Sequence, residues 1–136
     1  GDGIEKVSNT AESEKDIPDA EPTAKKENKH PLIGYWYAEY EELEVGIVYE
    51  FKKEDGSIKA YSREIYDKEG NKVADNTLSM TVLAFEGKEG KANYFIEYEG
   101  KKYNVESKLK LSADQLEVSY SYDGYEGTEI WKSINE

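Results

Sequence analysis

The chain has 136 residues, of which 37% are hydrophobic and 35% charged, and its formal net charge is −12. This length fits one domain, and such a lean apolar content requires the 12 tyrosines, three phenylalanines and two tryptophans to supply much of the buried area. The negative charge disfavours binding to nucleic acids and anionic lipids. The absence of cysteine excludes disulfides, thiol catalysis and cysteine-ligated metals, and no apolar run is long enough for a transmembrane helix.

Residues 1–30 are rich in charge, Ser, Thr and Ala and contain no aromatic residue. Such a segment cannot bury enough apolar surface to offset the entropy lost on ordering, so we predict a disordered polar tether, with a brief helix around residues 12–15 as the alternative. The folded domain is predicted at 31–136. A polar spacer before a compact domain is typical of lipid-anchored proteins. Because the chain starts with Gly1, we expect a removed leader and an acylated cysteine upstream.

From Gly34 onward apolar and polar residues alternate with a period of two, which predicts β-strands separated by turns rich in Gly, Asn and Asp. We expect residues 73–76 to be irregular. No stretch has a helical period, so the connections should be hairpins and the sheet antiparallel. Eight predicted strands lie at 34–42, 44–53, 57–67, 77–85, 91–99, 102–112, 115–123 and 127–134.

These features predict an all-β fold, a single eight-stranded antiparallel up-and-down β-barrel. Closure into a barrel removes the exposed edges of the sheet. A β-sandwich is the competing architecture, and the succession of hairpins without a long crossover favours the barrel.

The start and end of the predicted sheet carry a family resemblance. The Gly34-Tyr35-Trp36 triplet resembles the lipocalin signature of the calycin group, which places the tryptophan across the closed end of the barrel. Segments 32–36, 55–58, 100–103, 116–118 and 127–132 are similar to small secreted, lipocalin-like bacterial proteins of unknown function. The resemblance implies an extracytoplasmic location, in the periplasm or as a cell-surface lipoprotein of a bacterium. It implies no catalytic residue.

The residue inventory argues against several chemistries. The single histidine, His30, lies in the tether, so the domain lacks a Ser/His triad and a His-ligated zinc site. A general acid needs a desolvated site, and the residues next to each glutamate do not indicate one. Asp67, Glu69 and Asn71 alternate as calcium ligands do, but Leu78 occupies the twelfth position of such a loop, so we interpret the segment as a turn. We therefore expect no enzyme activity, no cofactor and no metal site.

Arg63 is the only arginine and lies within a predicted strand. If its side chain enters the barrel, it could hold a ligand carboxylate bidentately, as in fatty-acid-binding barrels. The alternative is an exposed arginine paired with a glutamate of a neighbouring strand. The strand pattern leaves both orientations open, because both of its faces are partly apolar.

Strand alternation also predicts an inward-facing aromatic set. In one interpretation these side chains fill the barrel, and in the other they line a pocket at its open end. The predicted inward residues are Trp36, Tyr40, Tyr49, Phe51, Met80, Tyr94, Tyr98, Tyr103, Tyr120 and Tyr122.

The leading hypothesis is a non-enzymatic exported lipocalin-like protein that binds a small amphipathic or aromatic ligand in a Tyr-lined cavity, tethered to a membrane only through a lipid anchor. The second hypothesis is a solid-core interaction or inhibitor module of the cell envelope, which docks another protein through its acidic, Tyr-rich surface.

Overall fold

The computed structural model describes residues 30–134 of the chain. The chain divides between Pro31 and Leu32 into two units, and the second contains the whole sheet. The predicted tether, apart from His30, lies outside the described residues.

The described part consists of eight β-strands joined by short turns, which confirms the all-β prediction. No helix in residues 30–134 is long and apolar enough to cross a membrane. The strands are β1 (Gly34–Tyr40), β2 (Val45–Glu54), β3 (Ser57–Tyr66), β4 (Lys72–Glu86), β5 (Glu89–Tyr98), β6 (Lys101–Ser112), β7 (Gln115–Tyr122) and β8 (Tyr125–Ser133).

The strands form a closed antiparallel barrel in sequence order, so the barrel prediction is confirmed and the sandwich alternative is wrong. Each strand pairs with the next along the chain. The seam is the pairing of β1 with β8, and it is short: the backbone register covers only Trp36 opposite Ser133 and Tyr37 opposite Lys132. One more backbone hydrogen bond crosses the seam toward the closed end, from the Ile134 N–H to the Tyr35 carbonyl at 3.0 Å. Toward the open end the seam relies on side chains.

Three connections are two-residue turns in which both residues have positive φ, at Asp55-Gly56, Glu99-Gly100 and Asp123-Gly124. Turns of this kind match the right-handed twist of the strands that they join. Glycine at the second position adopts the conformation without a steric penalty. The local sequence therefore sets the hairpin register, which in turn fixes the face to which each side chain points.

The prediction of an irregular segment at 73–76 is wrong, because β4 begins at Lys72 and continues to Glu86. The register between β3 and β4 shifts twice, and Arg63 is skipped in the pairing of β3 with β2, where Tyr49 lies opposite Ser62 and Val48 opposite Glu64. An extra residue of this kind is a β-bulge, which reverses the alternation beyond it. In β4 the same shift skips Asp75 and Asn76, because Thr77 lies opposite Ser62 and Ala74 opposite Glu64. This break in the pairing explains why a period of two did not predict the start of β4.

One end of the barrel is sealed by apolar side chains. This end, here called the closed end, carries the β2–β3, β4–β5 and β6–β7 turns. Leu32 and Trp36 are buried there, and the Trp36 indole nitrogen donates to the Leu32 carbonyl at 2.9 Å. The Phe51 ring contacts both Trp36 and Trp131, with centroid distances of 6.3 and 5.8 Å. The opposite end, here called the open end, carries the other four turns.

Candidate functional site: a carboxylate among tyrosines

The most unusual interior group is the carboxylate of Glu129 on β8. Residues paired across two strands share a face, and Glu129 lies opposite the buried Val118, in phase with the buried Trp131. Its side chain therefore points into the barrel, toward the open-end side of Trp131, and it is half-buried. A charged side chain in such a position needs hydrogen-bond partners.

Four side chains donate hydrogen bonds to this carboxylate. Oε1 accepts from the Tyr40 hydroxyl at 2.9 Å, the Tyr94 hydroxyl at 2.7 Å and the Trp131 indole nitrogen at 2.9 Å. Oε2 accepts one bond, from the Tyr120 hydroxyl at 2.9 Å. A carboxylate offers about four acceptor positions, two on each oxygen, so Oε1 is crowded and Oε2 keeps capacity for a further donor.

The hydroxyl protons of the neighbouring tyrosines fit one arrangement. Tyr49 lies 2.6 Å from the Tyr40 hydroxyl, and Tyr40 lies 3.1 Å from that of Tyr94. If Tyr40 and Tyr94 both donate to Glu129, Tyr49 donates to Tyr40, and every phenolic proton has an acceptor. This arrangement leaves the carboxylate as the acceptor at the centre of the network.

Burial raises the pKa of the phenols above their ordinary value of 10. For Tyr40, Tyr49 and Tyr94 the main cause is desolvation, which disfavours the charged phenolate, and the nearby Glu129 charge acts in the same direction. The pKa of Tyr120 is raised for the same two reasons. These phenols are therefore protonated at neutral pH and can donate hydrogen bonds.

The network also links β1 to β8 across the seam of the barrel. The register of Trp36 with Ser133 places Tyr40 opposite Glu129 if it is continued by four residues along each strand. No backbone pair is formed at that point, but the Tyr40 hydroxyl bridges the gap to the Glu129 carboxylate. A side-chain hydrogen bond thus replaces the backbone ladder near the open end.

Aromatic rings surround the carboxylate. Tyr49 stacks on Trp131, with centroids 3.9 Å apart and planes 3° apart. Tyr94 packs edge-on against both Trp131 and Tyr120, at 5.9 and 5.7 Å. On the closed-end side of this layer the core is apolar, so Glu129 lies at the boundary between the apolar closed end and the open end.

Above the layer, tyrosines continue to the rim of the barrel. Tyr103 and Tyr122 lie 5.4 Å apart, and Tyr120 and Tyr125 lie 6.5 Å apart, measured between ring centroids. Tyr98, Tyr122 and Tyr125 are 62%, 47% and 66% exposed, which is high for aromatic side chains. We refer to Tyr98, Tyr103, Tyr122 and Tyr125 as the rim tyrosines.

Gly127 positions one of the donors. It lies opposite Tyr120 in the register of β7 with β8, and a Cβ at Gly127 would lie 2.5 Å from the Tyr120 ring. The ring therefore lies across the glycine, and its hydroxyl reaches Glu129 Oε2. A side chain at position 127 would push this ring away from the carboxylate.

The strands next to Glu129 are acidic at the open end. The segments 39–46 and 121–130 flank it and contain no lysine or arginine. Lysines lie elsewhere at both ends: at 52, 53, 88 and 132 toward the closed end, and at 68, 72, 101 and 102 in or beside the β3–β4 and β5–β6 connections of the open end. The carboxylates of the two acidic segments are Glu39, Glu41, Glu42, Glu44, Asp123, Glu126 and Glu129.

Arg63 lies on the outer face of the barrel. Its Nε is 3.7 Å from Glu50 Oε1, and its Nη1 donates to Asn76 Oδ1 at 2.9 Å. The Arg63 side chain does not enter the barrel, as the predicted role in holding a ligand carboxylate required. It is paired instead with a glutamate of a neighbouring strand, which was the alternative prediction. The physical reason is the alternation of β3, in which Arg63 follows the buried Ser62. The β-bulge then puts Ile65 opposite Ile47, which packs against the core.

The predicted inward residues divide into three groups. Trp36, Tyr49 and Tyr94 are buried in the core, together with Phe51 and Met80. Tyr40 and Tyr120 are half-buried and bind Glu129, and Tyr98, Tyr103 and Tyr122 lie at the rim. The structure thus brings Tyr40, Tyr49, Tyr94 and Tyr120 into one network, from which Trp36 and the rim residues are separate.

Glu129, Trp131 and Gly127 were absent from the predicted site. A signal was present, because alternation in the last strand puts Gly127, Glu129 and Trp131 on one face. The tryptophan identifies that face as the inner one, so the glutamate between it and the glycine must also point inward.

The segment containing Asp67 is a turn. The Asp67 carboxylate accepts bonds from the backbone nitrogens of Glu69 at 3.0 Å and Asn71 at 2.9 Å, and from the Asn71 amide at 3.2 Å. Its oxygens stabilise the β3–β4 connection. Within residues 30–134 no group of three or more His, Asp or Glu side chains is arranged to hold a metal ion.

An open depression on the outer wall between β4 and β7 is a separate feature. Its lysines at 91, 108 and 110 are exposed, and Glu117 and Ser119 are half-buried. Its lining includes no buried polar side chain, so the Glu129 network is the stronger candidate for a functional site.

Comparisons with models of protein families, with curated proteins and with solved structures found no match to this chain.

Proposed function

We propose that this protein is a non-enzymatic binding protein that holds a small amphipathic or aromatic molecule at the open end of its barrel. The observation that carries the proposal is the Glu129 network, in which one carboxylate and four phenols lie beneath the rim tyrosines of β5 to β8, three of which are exposed. Tyrosines offer flat apolar faces together with hydrogen bonds, a combination suited to a ligand with both characters.

The packing of side chains inside the barrel indicates where the ligand would lie. The closed half is filled by large side chains such as Trp131, Phe51 and Met80, each of which is buried. Ile96, Tyr40 and Tyr120 nearer the open end are only partly buried against this core. A ligand would therefore lie shallowly, above Trp131 and within the rim tyrosines.

The chemistry of the network favours binding over catalysis. The phenols keep their protons at neutral pH, and they donate hydrogen bonds to Glu129 that would have to be broken before the carboxylate could take a proton from a substrate. The expected export and lipid anchoring rest on the sequence: the composition of residues 1–30 and the resemblance to lipocalin-like secreted proteins.

The exposure of the rim tyrosines favours a second candidate function. Tyr98, Tyr122 and Tyr125 together present aromatic surface beside acidic side chains, as interaction surfaces often do. In this case the open end would dock another envelope protein, and the network beneath it would serve stability alone.

Native mass spectrometry of protein purified without detergent tests the proposal. A co-purifying small molecule that is lost in the variant Tyr120→Ala but retained in Ile130→Ala would support ligand binding at the open end. Ile130 is the matched control, because it is an exposed hydrophobic residue of the outer face next to Glu129. Retention of the molecule in Tyr120→Ala would contradict the proposed site.

A further inference from the structure

We infer that the ligand of the open end carries a positive charge, as a protonated amine or another organic cation with an apolar body, and that this charge is bound by Glu129 Oε2 among the rings of Tyr120 and Tyr125. The inference rests on the proposed function and specifies the class of ligand.

The first argument is the missing counter-charge. Within residues 30–134 the ion pairs involve Lys59, Lys68, Lys72 and Arg63, and none of them includes Glu129. Glu129 is half-buried, and a nearby cation favours the charged form of a carboxylate that is partly removed from water. A bound cation would supply the missing counter-charge.

The second argument is the asymmetry of the two carboxylate oxygens. Oε1 accepts three hydrogen bonds from protein groups, whereas Oε2 accepts only that of Tyr120. Oε2 therefore has room for a donor from outside, and an ammonium group donates without needing an acceptor of its own.

The third argument is the aromatic surroundings. Tyr120 contacts Tyr94 at 5.7 Å and Tyr125 at 6.5 Å, so several rings lie close to Oε2. Cations bind to the faces of tyrosine rings, and the interaction strengthens when the site is partly removed from water. A carboxylate beside aromatic rings matches an organic cation in both charge and shape.

The fourth argument is long-range charge. The segments 39–46 and 121–130, which flank the site, carry acidic residues and no basic ones. The lysines of the open end, at 68, 72, 101 and 102, lie in or beside the β3–β4 and β5–β6 connections. Beside β1, β2, β7 and β8 the acidic potential therefore attracts cations and repels anions, which include the carboxylate ligand that an inward Arg63 would have bound.

Four probes with one ring and different charges test the inference: benzylamine and benzyltrimethylammonium as cations, benzyl alcohol as the neutral analogue and benzoate as the anion. Binding is followed by the NMR signal of the Trp131 indole N–H, which donates to Glu129. We expect both cations to bind at least ten-fold more tightly than benzyl alcohol, and benzoate to bind most weakly. Equal affinity for benzylamine and benzyl alcohol would overturn the inference and leave the proposed function standing.

The variant Glu129→Gln removes the charge and keeps the shape of the side chain. We expect it to weaken benzylamine binding at least ten-fold and to leave benzyl alcohol binding unchanged. The control Glu106→Gln makes the same charge change at an exposed position of β6, and we expect less than a two-fold effect. An equal loss in both variants would overturn the role of Glu129.

The outcomes separate the two levels of the proposal. If Glu129→Gln does not fold, the ranking of the four probes on the native protein still decides the charge preference. If none of the four probes binds at millimolar concentration and no molecule co-purifies with the native protein, the proposed function itself fails.

Discussion

The two ends of this barrel are built from the same eight strands but have opposite characters. At the closed end Leu32, Trp36 and Phe51 are buried against one another, and the one polar atom of the Trp36 ring is satisfied by a backbone carbonyl. At the open end the inward positions carry tyrosines and Glu129, and several aromatic rings are exposed. The difference indicates that the two ends have different roles. The closed end stabilises the folded state, and the open end presents hydrogen-bonding and charged groups.

The largest effect on the free energy of unfolding should come from a substitution of Trp131, at the boundary between the two ends. Trp131 is 0% exposed and stacks on Tyr49, so Trp131→Ala should lower the free energy of unfolding by about 3–5 kcal/mol, measured by urea denaturation. The control Ile130→Ala, at the neighbouring outward position, should cost less than about 1 kcal/mol. Similar costs in the two variants would show that the burial of Trp131 at this boundary does not stabilise the barrel.

High pH should destabilise the barrel through the network at the open end. The folded-state pKa values of Tyr40, Tyr49 and Tyr94 are raised above 10, so their contribution to stability is complete below pH 10. It declines as the pH rises from there toward the folded-state values, by about 1.4 kcal/mol per pH unit for each tyrosine that ionises only on unfolding.

Urea denaturation between pH 8 and 11.5, with phenolate absorbance recorded in parallel, checks this expectation. The unfolding free energy should be flat below pH 10, apart from other groups, and fall steeply above it. The variant Tyr40→Phe should show a shallower decline. A decline of equal slope in that variant would mean that the buried phenols are not responsible.

The side-chain link across the seam should have an intermediate effect. Tyr40→Phe removes the bond to Glu129 and leaves the Tyr49 hydroxyl without its acceptor, which should cost about 1–2 kcal/mol. Hydrogen exchange should accelerate in β1 and β8 more than in the other strands. The control Tyr98→Phe removes the hydroxyl of an exposed rim residue, and unchanged exchange in both variants would refute the link.

The smallest effect should follow from changing Arg63. Its ion pair with Glu50 lies on the outer face and is partly exposed, so Arg63→Gln should change the unfolding free energy by less than about 1 kcal/mol. It should leave benzylamine binding at the open end within two-fold of the native value, as measured by the Trp131 indole signal. A ten-fold loss of binding would place the functional site on the outer wall instead.

Much of the fold could be predicted because it depends on local patterns. Alternation with a period of two marks strands, and the Gly-containing turns such as Asp55-Gly56 fix the hairpins that join them. The parts that failed involve a break in the pattern. The bulge at Arg63 left the inner face of β3 undecided, because one extra residue reverses the alternation without changing the composition. The start of β4 was missed because its register with β3 skips Asp75 and Asn76.

The site could be predicted only in part. The tyrosines were recognisable as inward residues, but their hydroxyls meet only because five strands, β1, β2, β5, β7 and β8, converge on Glu129. Tyr40 and Glu129 are separated by 89 positions in the chain, and no local pattern relates them.

By itself, the sequence determined the strands, their hairpin order and the face of most side chains, because these follow from backbone alternation and turn chemistry over a few residues. The tertiary structure alone decided that Arg63 points outward and that Tyr40, Tyr94 and Tyr120 meet at Glu129. Both depend on register across strands and on closure of the seam, where β1 meets β8 from opposite ends of the sheet.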